Sequence, residues 1–194
     1  MTDSPSPLSQ PGKDLRPLPG PGQRYRPASV LILLYPRAGE DYIVLMRRTD
    51  SVEHHKGQIS LPGGAQDAED YDSVYTALRE AQEEIGLDPD RVEVVATLPD
   101  VYVPVSWFVI TPVVARLKPD AAATALEFKP NAGEVAEIIE IPVRALREEA
   151  THRTEVRTVN DVTHTIHYYT YGPYLIWGAT GRIIFEFLRE FSEL

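Results

Sequence analysis

The chain has 194 residues, 43% of them hydrophobic and 25% charged, a composition that suits one soluble domain with a sizeable core. It has no cysteine, which excludes disulfides, thiolate metal sites and cysteine nucleophiles, and its formal charge of −10 argues against nucleic acid and anionic membranes as partners. The longest apolar run, 28–35, is far short of a membrane span, and the N-terminus lacks a basic start followed by an apolar signal region, so a cytoplasmic protein is expected.

Seven of the 17 prolines precede Ala28 and are mixed with glycine and serine. Such a segment cannot bury a core, so residues 1–24 are predicted to be a flexible arm and 25–194 the folded domain. The run 29–35 suits a buried strand, and 42–48 pairs with it across a turn containing Gly39. A short strand at 59–61 feeds Pro62-Gly63-Gly64, read as a turn that glycines accept easily and that lets backbone and ligand approach closely. A helix is predicted over about 73–85, stopped by Gly86.

Beyond it, strands are predicted at 92–98, 107–117 and 137–142, with a short helix at 143–149. A hairpin of 154–159 and 164–171 turns at Asn160-Asp161, and 178–191 is an amphipathic helix with Ile183, Ile184, Phe187, Leu188 and Phe191 on helical spacing. Strands and helices interleave with mixed connections, which predicts an α/β fold: an α/β/α sandwich around a mixed β-sheet.

The helix 73–85 is the most informative segment. Glu80, Glu83 and Glu84 fall within roughly a 100° arc of it, and like charges so close repel. Val74, Ala77, Leu78, Ala81 and Ile85 form an adjoining apolar stripe, so the carboxylates line the edge of a buried face, where a cleft would lie. A hard divalent cation, Mg²⁺ or Mn²⁺, seeks several carboxylate oxygens on a rigid support. The alternative is a solvated acidic face. Arg79, four residues before Glu83, can orient that side chain.

From Arg79 to Leu87 the residues match the signature of the Nudix hydrolases, Arg-Glu-apolar-any-Glu-Glu-any-Gly-apolar. The first half of that signature departs: Gly64 lies fifteen positions before Arg79 rather than fourteen, so the early glutamate falls on Asp70 counted from the glycine or Tyr71 counted from the arginine. The longer loop is similar to the coenzyme A diphosphatase branch. So is the upstream run Val44-Leu45-Met46-Arg47-Arg48-Thr49, Glu53, Gly57 and Leu61-Pro62-Gly63-Gly64, with Glu53 standing where that branch has arginine. Leu175-Ile176-Trp177-Gly178-Ala179-Thr180 resembles its closing segment.

The resemblance implies the same sandwich fold and a metal-dependent hydrolase of a diphosphate linkage. The expected substrate is coenzyme A, with acyl-coenzyme A also open, giving 3′-phosphoadenosine 5′-phosphate and 4′-phosphopantetheine. It implies Glu80, Glu83 and Glu84 as metal ligands, Arg79 as orienting group, and Gly57, Gly63 and Gly64 in the substrate loop. Arg47, Arg48 and Lys56 are the nearby cations that can hold a polyanion against the global negative field. The general base is Glu80 or Glu134, the latter alternatively a surface-loop acid. His54 and His55 are phosphate-contact candidates, His164 and His167 structural. Tyr168, Tyr169, Tyr171 and Tyr174 either stack on adenine or fill the core. Two other readings stay open: hydrolysis of another nucleoside diphosphate derivative such as ADP-ribose, NADH or a dinucleotide, and a noncatalytic nucleotide-sensing module. A homodimer is also left open.

Overall fold

The run 31–35 is apolar at every position because both of its faces are covered. In the computed structural model, which describes residues 18–20, 22–49, 57–121, 126–159 and 162–193, it belongs to the central strand β1 (Arg26–Arg37) of a mixed sheet. Leu31, Leu33 and Tyr35 enter one apolar cluster and Ile32 and Leu34 the other, as the period of two requires.

β2 (Glu40–Arg48) returns antiparallel to β1 through Ala38 and Gly39, both at positive φ (53° and 85°), the turn geometry that a twisted hairpin favours. β7 (Phe108–Leu117) lies parallel on the other side of β1. With β3 (Ile59–Ser60) beyond β2 and β5 (Val92–Thr97) beyond β7, the order is β3-β2-β1-β7-β5. Three more strands join it: β4 (Gly63–Ala65) pairs with β1, β6 (Val101–Val103) with β7, and β8 (Val135–Pro142) with β2.

One face of the sheet is covered by helix α1 (Ser73–Ile85), whose Ala77, Ala81 and Ile85 pack on Leu31, Leu33, Val44 and Val113. Asp72 caps its start by accepting from Tyr75 N–H at 2.7 Å, and Gly86, at φ 70°, ends it. The opposite face carries α2 (Val143–Arg147), α3 (Gly178–Glu190) and a second sheet of β9 (His152–Val159), β10 (Val162–Tyr171) and β11 (Tyr174–Ile176). Ile183, Ile184 and Phe187 of α3 bury against Ile32, Leu34, Ile141 and Tyr169. The expected α/β/α sandwich with a mixed sheet therefore forms, with the small sheet added to one layer.

Several boundaries and one element type differ from expectation. Gly63 and Gly64, expected in a turn, form β4, with Gly63 opposite Val30 and Gly64 opposite Ser29. β6 and β11 were not anticipated, since a three-residue strand has no periodicity and exists only through its partners β7 and β10. Trp107, expected to open a strand, sits in the preceding turn at φ 59°. The helix expected over 143–149 stops at Arg147. The Asn160-Asp161 turn, residues 1–17 of the predicted arm, and Glu53, His54, His55 and Lys56 lie outside the described residues.

Candidate active site

Two adjacent glycines bring the strand β4 up against two of the three glutamates on α1. The backbone N–H of Gly63 donates to Oε2 of Glu84 at 2.8 Å, and Arg48 at the end of β2 donates to its Oε1 at 3.1 Å. Glu84 is almost wholly buried, its side chain 2% exposed. That burial pushes its carboxyl up to about 8 against the opposing pull of Gly63 N–H and Arg48, with Glu80 and Glu134 adding to the rise. A β-carbon on Gly64 would stand 2.5–2.6 Å from the carboxylate of Glu80, so this glycine keeps the space that Glu80 fills. Burial also raises Glu80, opposed by Arg79 and reinforced by Glu83 and Glu134.

Arg79 is the hub of the loop between β4 and α1. Its Nε donates to Asp70 Oδ1 and its Nη2 to Asp70 Oδ2, both at 2.9 Å, a two-pronged pair that fixes the guanidinium plane. Asp70 is buried and also accepts from Thr76 Oγ1 at 2.9 Å and Asp67 N–H at 3.0 Å. The Arg79 pair, ahead of these bonds, holds its carboxyl down to about 2. The free side of the guanidinium reaches Glu80 at 3.0 Å and Glu83 at 3.3 Å. Arg79 thus contacts Glu83, but its main anchor is Asp70. Of the two positions that the inserted residue leaves open, Asp70 is the one that pairs with Arg79; Tyr71 is exposed and packs on Tyr75.

Glu134 arrives from a distant part of the chain. The segment ahead of it caps the C-terminal carbonyls of α1, with Lys129 N–H donating to Ile85 O and Asn131 N–H to Glu84 O, both at 2.8 Å. Thr49 then ties the loop to β2, its N–H donating to Glu134 O at 2.8 Å and its hydroxyl to Gly133 O at 3.0 Å. Arg48 consequently lies between two acids, 3.1 Å from Glu84 and 3.8 Å from Glu134.

Glu80, Glu84, Glu134 and Arg48 form one end of a cavity of about 650 Å³, bordered by Gly63 and Gly64. The rest of its wall is largely apolar, with Ile59, Val103, Val105, Phe108, Ile110 and Trp177, but it also carries Gln58, Ser60, Ser106 and Thr180. Glu83, with its side chain 57% exposed, stands outside this lining. So does Arg47, expected to bind substrate, because its alternation on β2 turns it to Glu137 at 3.1 Å, which Tyr174 also holds at 2.6 Å. Gly57 does not reach the wall either, although its neighbour Gln58 does. None of the four tyrosines borders the cavity; Tyr168 and Tyr169 are core residues.

The residues missed from the sequence are those of the β6–β7 turn, Val103, Val105 and Phe108, together with Trp177. Valine and phenylalanine beside strands carry no signal separating a cavity wall from a core.

The family model of the NUDIX domain matches residues 25–161. The chain belongs to the Nudix family. It is 37% identical over 162 residues to the uncharacterized Nudix hydrolase NudL of Citrobacter koseri, covering 83% of this chain and 80% of that protein. It is 33% identical over 179 residues to "Nudix hydrolase 15, mitochondrial" of Arabidopsis thaliana, covering 89% of this chain but only 61% of the plant protein's length. A crystal structure of a MutT/nudix family protein from Enterococcus faecalis shares the fold, with a TM-score of 0.58 at 18% identity over 91% of this chain and 66% of that one.

Nudix proteins are pyrophosphohydrolases that generally need a divalent metal ion. The donor set of this Nudix domain fits one. Glu134 raises the proton affinity of both Glu80 and Glu84, Glu80 adds to that of Glu84, and the buried Glu84 is poorly supported as an anion by Arg48 and Gly63 alone. Hard oxygen donors that repel one another in a half-buried site are relieved by a hard cation. Among the described residues, no three histidine or acidic side chains yet converge as a finished ligand set. Among them, too, no helix is long and apolar enough to cross a membrane.

Proposed function

We propose that the protein hydrolyses the diphosphate linkage of coenzyme A or an acyl-coenzyme A to 3′-phosphoadenosine 5′-phosphate and 4′-phosphopantetheine. The observation that carries this reading is the single cavity that joins an acidic floor to a long apolar wall. A diphosphate belongs over the glutamates, and the apolar stretch suits the methyl and methylene groups of the pantetheine arm, with Gln58, Ser60, Ser106 and Thr180 in the same lining for its amides and hydroxyl. The likeness of the 44–64 run to the coenzyme A branch supports the same choice.

In this reading Glu80, Glu83 and Glu84 hold Mg²⁺ or Mn²⁺, which neutralises phosphoryl charge and aids water attack. Glu134, at the cavity and beside Arg48, takes the proton from the attacking water. Arg48 receives a phosphate oxygen, and Arg79, held by Asp70, keeps Glu80 and Glu83 in position. Residues 25–194 are the catalytic unit, which acts in the cytoplasm, and the proline-rich arm lies outside it. Retention of all three helix glutamates speaks against a noncatalytic sensor.

The test is a substrate panel with Mg²⁺ in ¹⁸O-labelled water, with products identified by mass spectrometry. Coenzyme A should be cleaved in preference to ADP-ribose and NADH. Equal turnover of the three would leave only the broader reading, hydrolysis of nucleoside diphosphate derivatives.

A further inference from the structure

Arg153, Tyr168 and Trp177 stand in a row across the small sheet. Arg153 is the cross-strand partner of Tyr168, and Tyr169 pairs with Ile176, which brings Trp177 alongside Tyr168 at the end of β11. The Arg153 guanidinium lies 4.0 Å over the Tyr168 ring, and the Tyr168 and Trp177 rings are nearly parallel, 13° apart, with centroids at 6.3 Å. Tyr168 is buried and further fixed by its hydroxyl, which donates to Glu155 at 3.0 Å. β11 is the edge strand of its sheet, so the row ends at the indole. Trp177 is 47% exposed and lines the cavity that holds Glu80 and Glu84.

A large apolar side chain left half in water is ordinary by itself. Here the indole is backed by a stacked tyrosine and an arginine, and its backbone is held between a strand and the first turn of α3. A π surface braced in this way, in the lining of the reactive cavity, rewards a flat ring more than a flexible chain. The arm gains as much from Val105, Phe108 and Ile110.

We propose that Trp177 is the stacking platform for the adenine ring of the substrate, a specificity residue that touches the base and takes no part in bond cleavage. This rests on the reading of the substrate as an adenine-containing diphosphate, and it divides the cavity into a base-stacking side at Trp177 and an arm-binding side at the β6–β7 turn.

The chain has two tryptophans, so Trp107→Phe leaves Trp177 as the sole indole reporter. With Mg²⁺ present, AMP should quench the fluorescence of that variant saturably, and 4′-phosphopantetheine should not. In the full chain, Trp177→Ala should raise KM about 5- to 150-fold for an adenine-containing substrate that the wild type turns over, the span seen when a stacking residue is truncated, with kcat nearly unchanged. Trp177→Phe should recover most of the loss. No saturable quenching by AMP, quenching by phosphopantetheine instead, or an equal loss in the alanine and phenylalanine variants would each overturn the proposal. Failure of coenzyme A in the substrate panel would leave the AMP result intact, so the two readings fail separately.

Discussion

Asp70 and Arg79 form a two-pronged ion pair, both bonds at 2.9 Å, in the loop where the chain carries its extra residue. The pair is buried on the aspartate side, where Thr76 and the Asp67 N–H complete its hydrogen bonding. Asp70→Asn keeps the shape and removes the charge, leaving Arg79 facing an amide. Breaking one partner of a buried pair costs about 3 kcal/mol or more, so urea unfolding should show a loss of that order. Turnover should fall too, because Arg79 no longer holds Glu80 and Glu83. Wild-type stability in this variant would mean that the pair contributes nothing.

The two glycines of β4 separate folding from function. Gly63 has φ 152°, and a β-carbon there would collide with the backbone of Ser29 and Val30, so Gly63→Ala should impair folding itself. At Gly64 the obstacle is the mobile end of Glu80. Gly64→Ala should therefore keep Tm within a few degrees while lowering Mg²⁺ affinity and kcat. Calorimetric titration of metal beside thermal unfolding checks both halves, and equal behaviour of the two variants would contradict the assignment.

Glu83 is the most exposed of the three helix glutamates, so Glu83→Gln should change stability by no more than about 0.5 kcal/mol. If it is a metal ligand, kcat should drop by about a hundredfold or more, since a cation stabilises the transition state by several kcal/mol. Unchanged activity would remove it from the metal site.

Glu84 links stability to pH in the metal-free protein. Its folded carboxyl is raised from 4.5 to about 8, so the folded state binds the extra proton. The associated stability is complete below about pH 4.5 and is lost as pH rises to 8. After chelation, wild-type stability should decline across that window more steeply than that of Glu84→Gln, by roughly 4 kcal/mol. Added Mg²⁺ should restore the wild type at pH 8 and leave the variant nearly unmoved. Parallel pH profiles of the two proteins would show that Glu84 is not strained by its burial.

The helix α1, its glycine stop and the crowding of Glu80, Glu83 and Glu84 are local properties, legible because helical spacing and capping involve residues a few positions apart. The central strand and the C-terminal helix were legible for the same reason, as continuous or periodic apolar patterns. Asp70 was visible only as one of two choices, since an insertion shifts the count and only the reach of Arg79 decides it. Arg47 and Arg48 look equivalent in sequence, yet the pleat of β2 sends one to Glu137 and the other into the cavity.

What the sequence determined by itself is therefore the family, the layered fold and the acidic helix, all written in short-range spacing. Tertiary structure alone decided that Glu134, fifty residues beyond Glu84, joins that helix, because the 129–134 loop satisfies the carbonyls that α1 leaves open and Thr49 pins it there. It also decided that an apolar wall from β6, β7 and Trp177 faces those acids across one cavity. Pairings between distant segments leave no periodic trace in a single chain, since each rests on hydrogen bonds and burial that exist only once the sheet has formed.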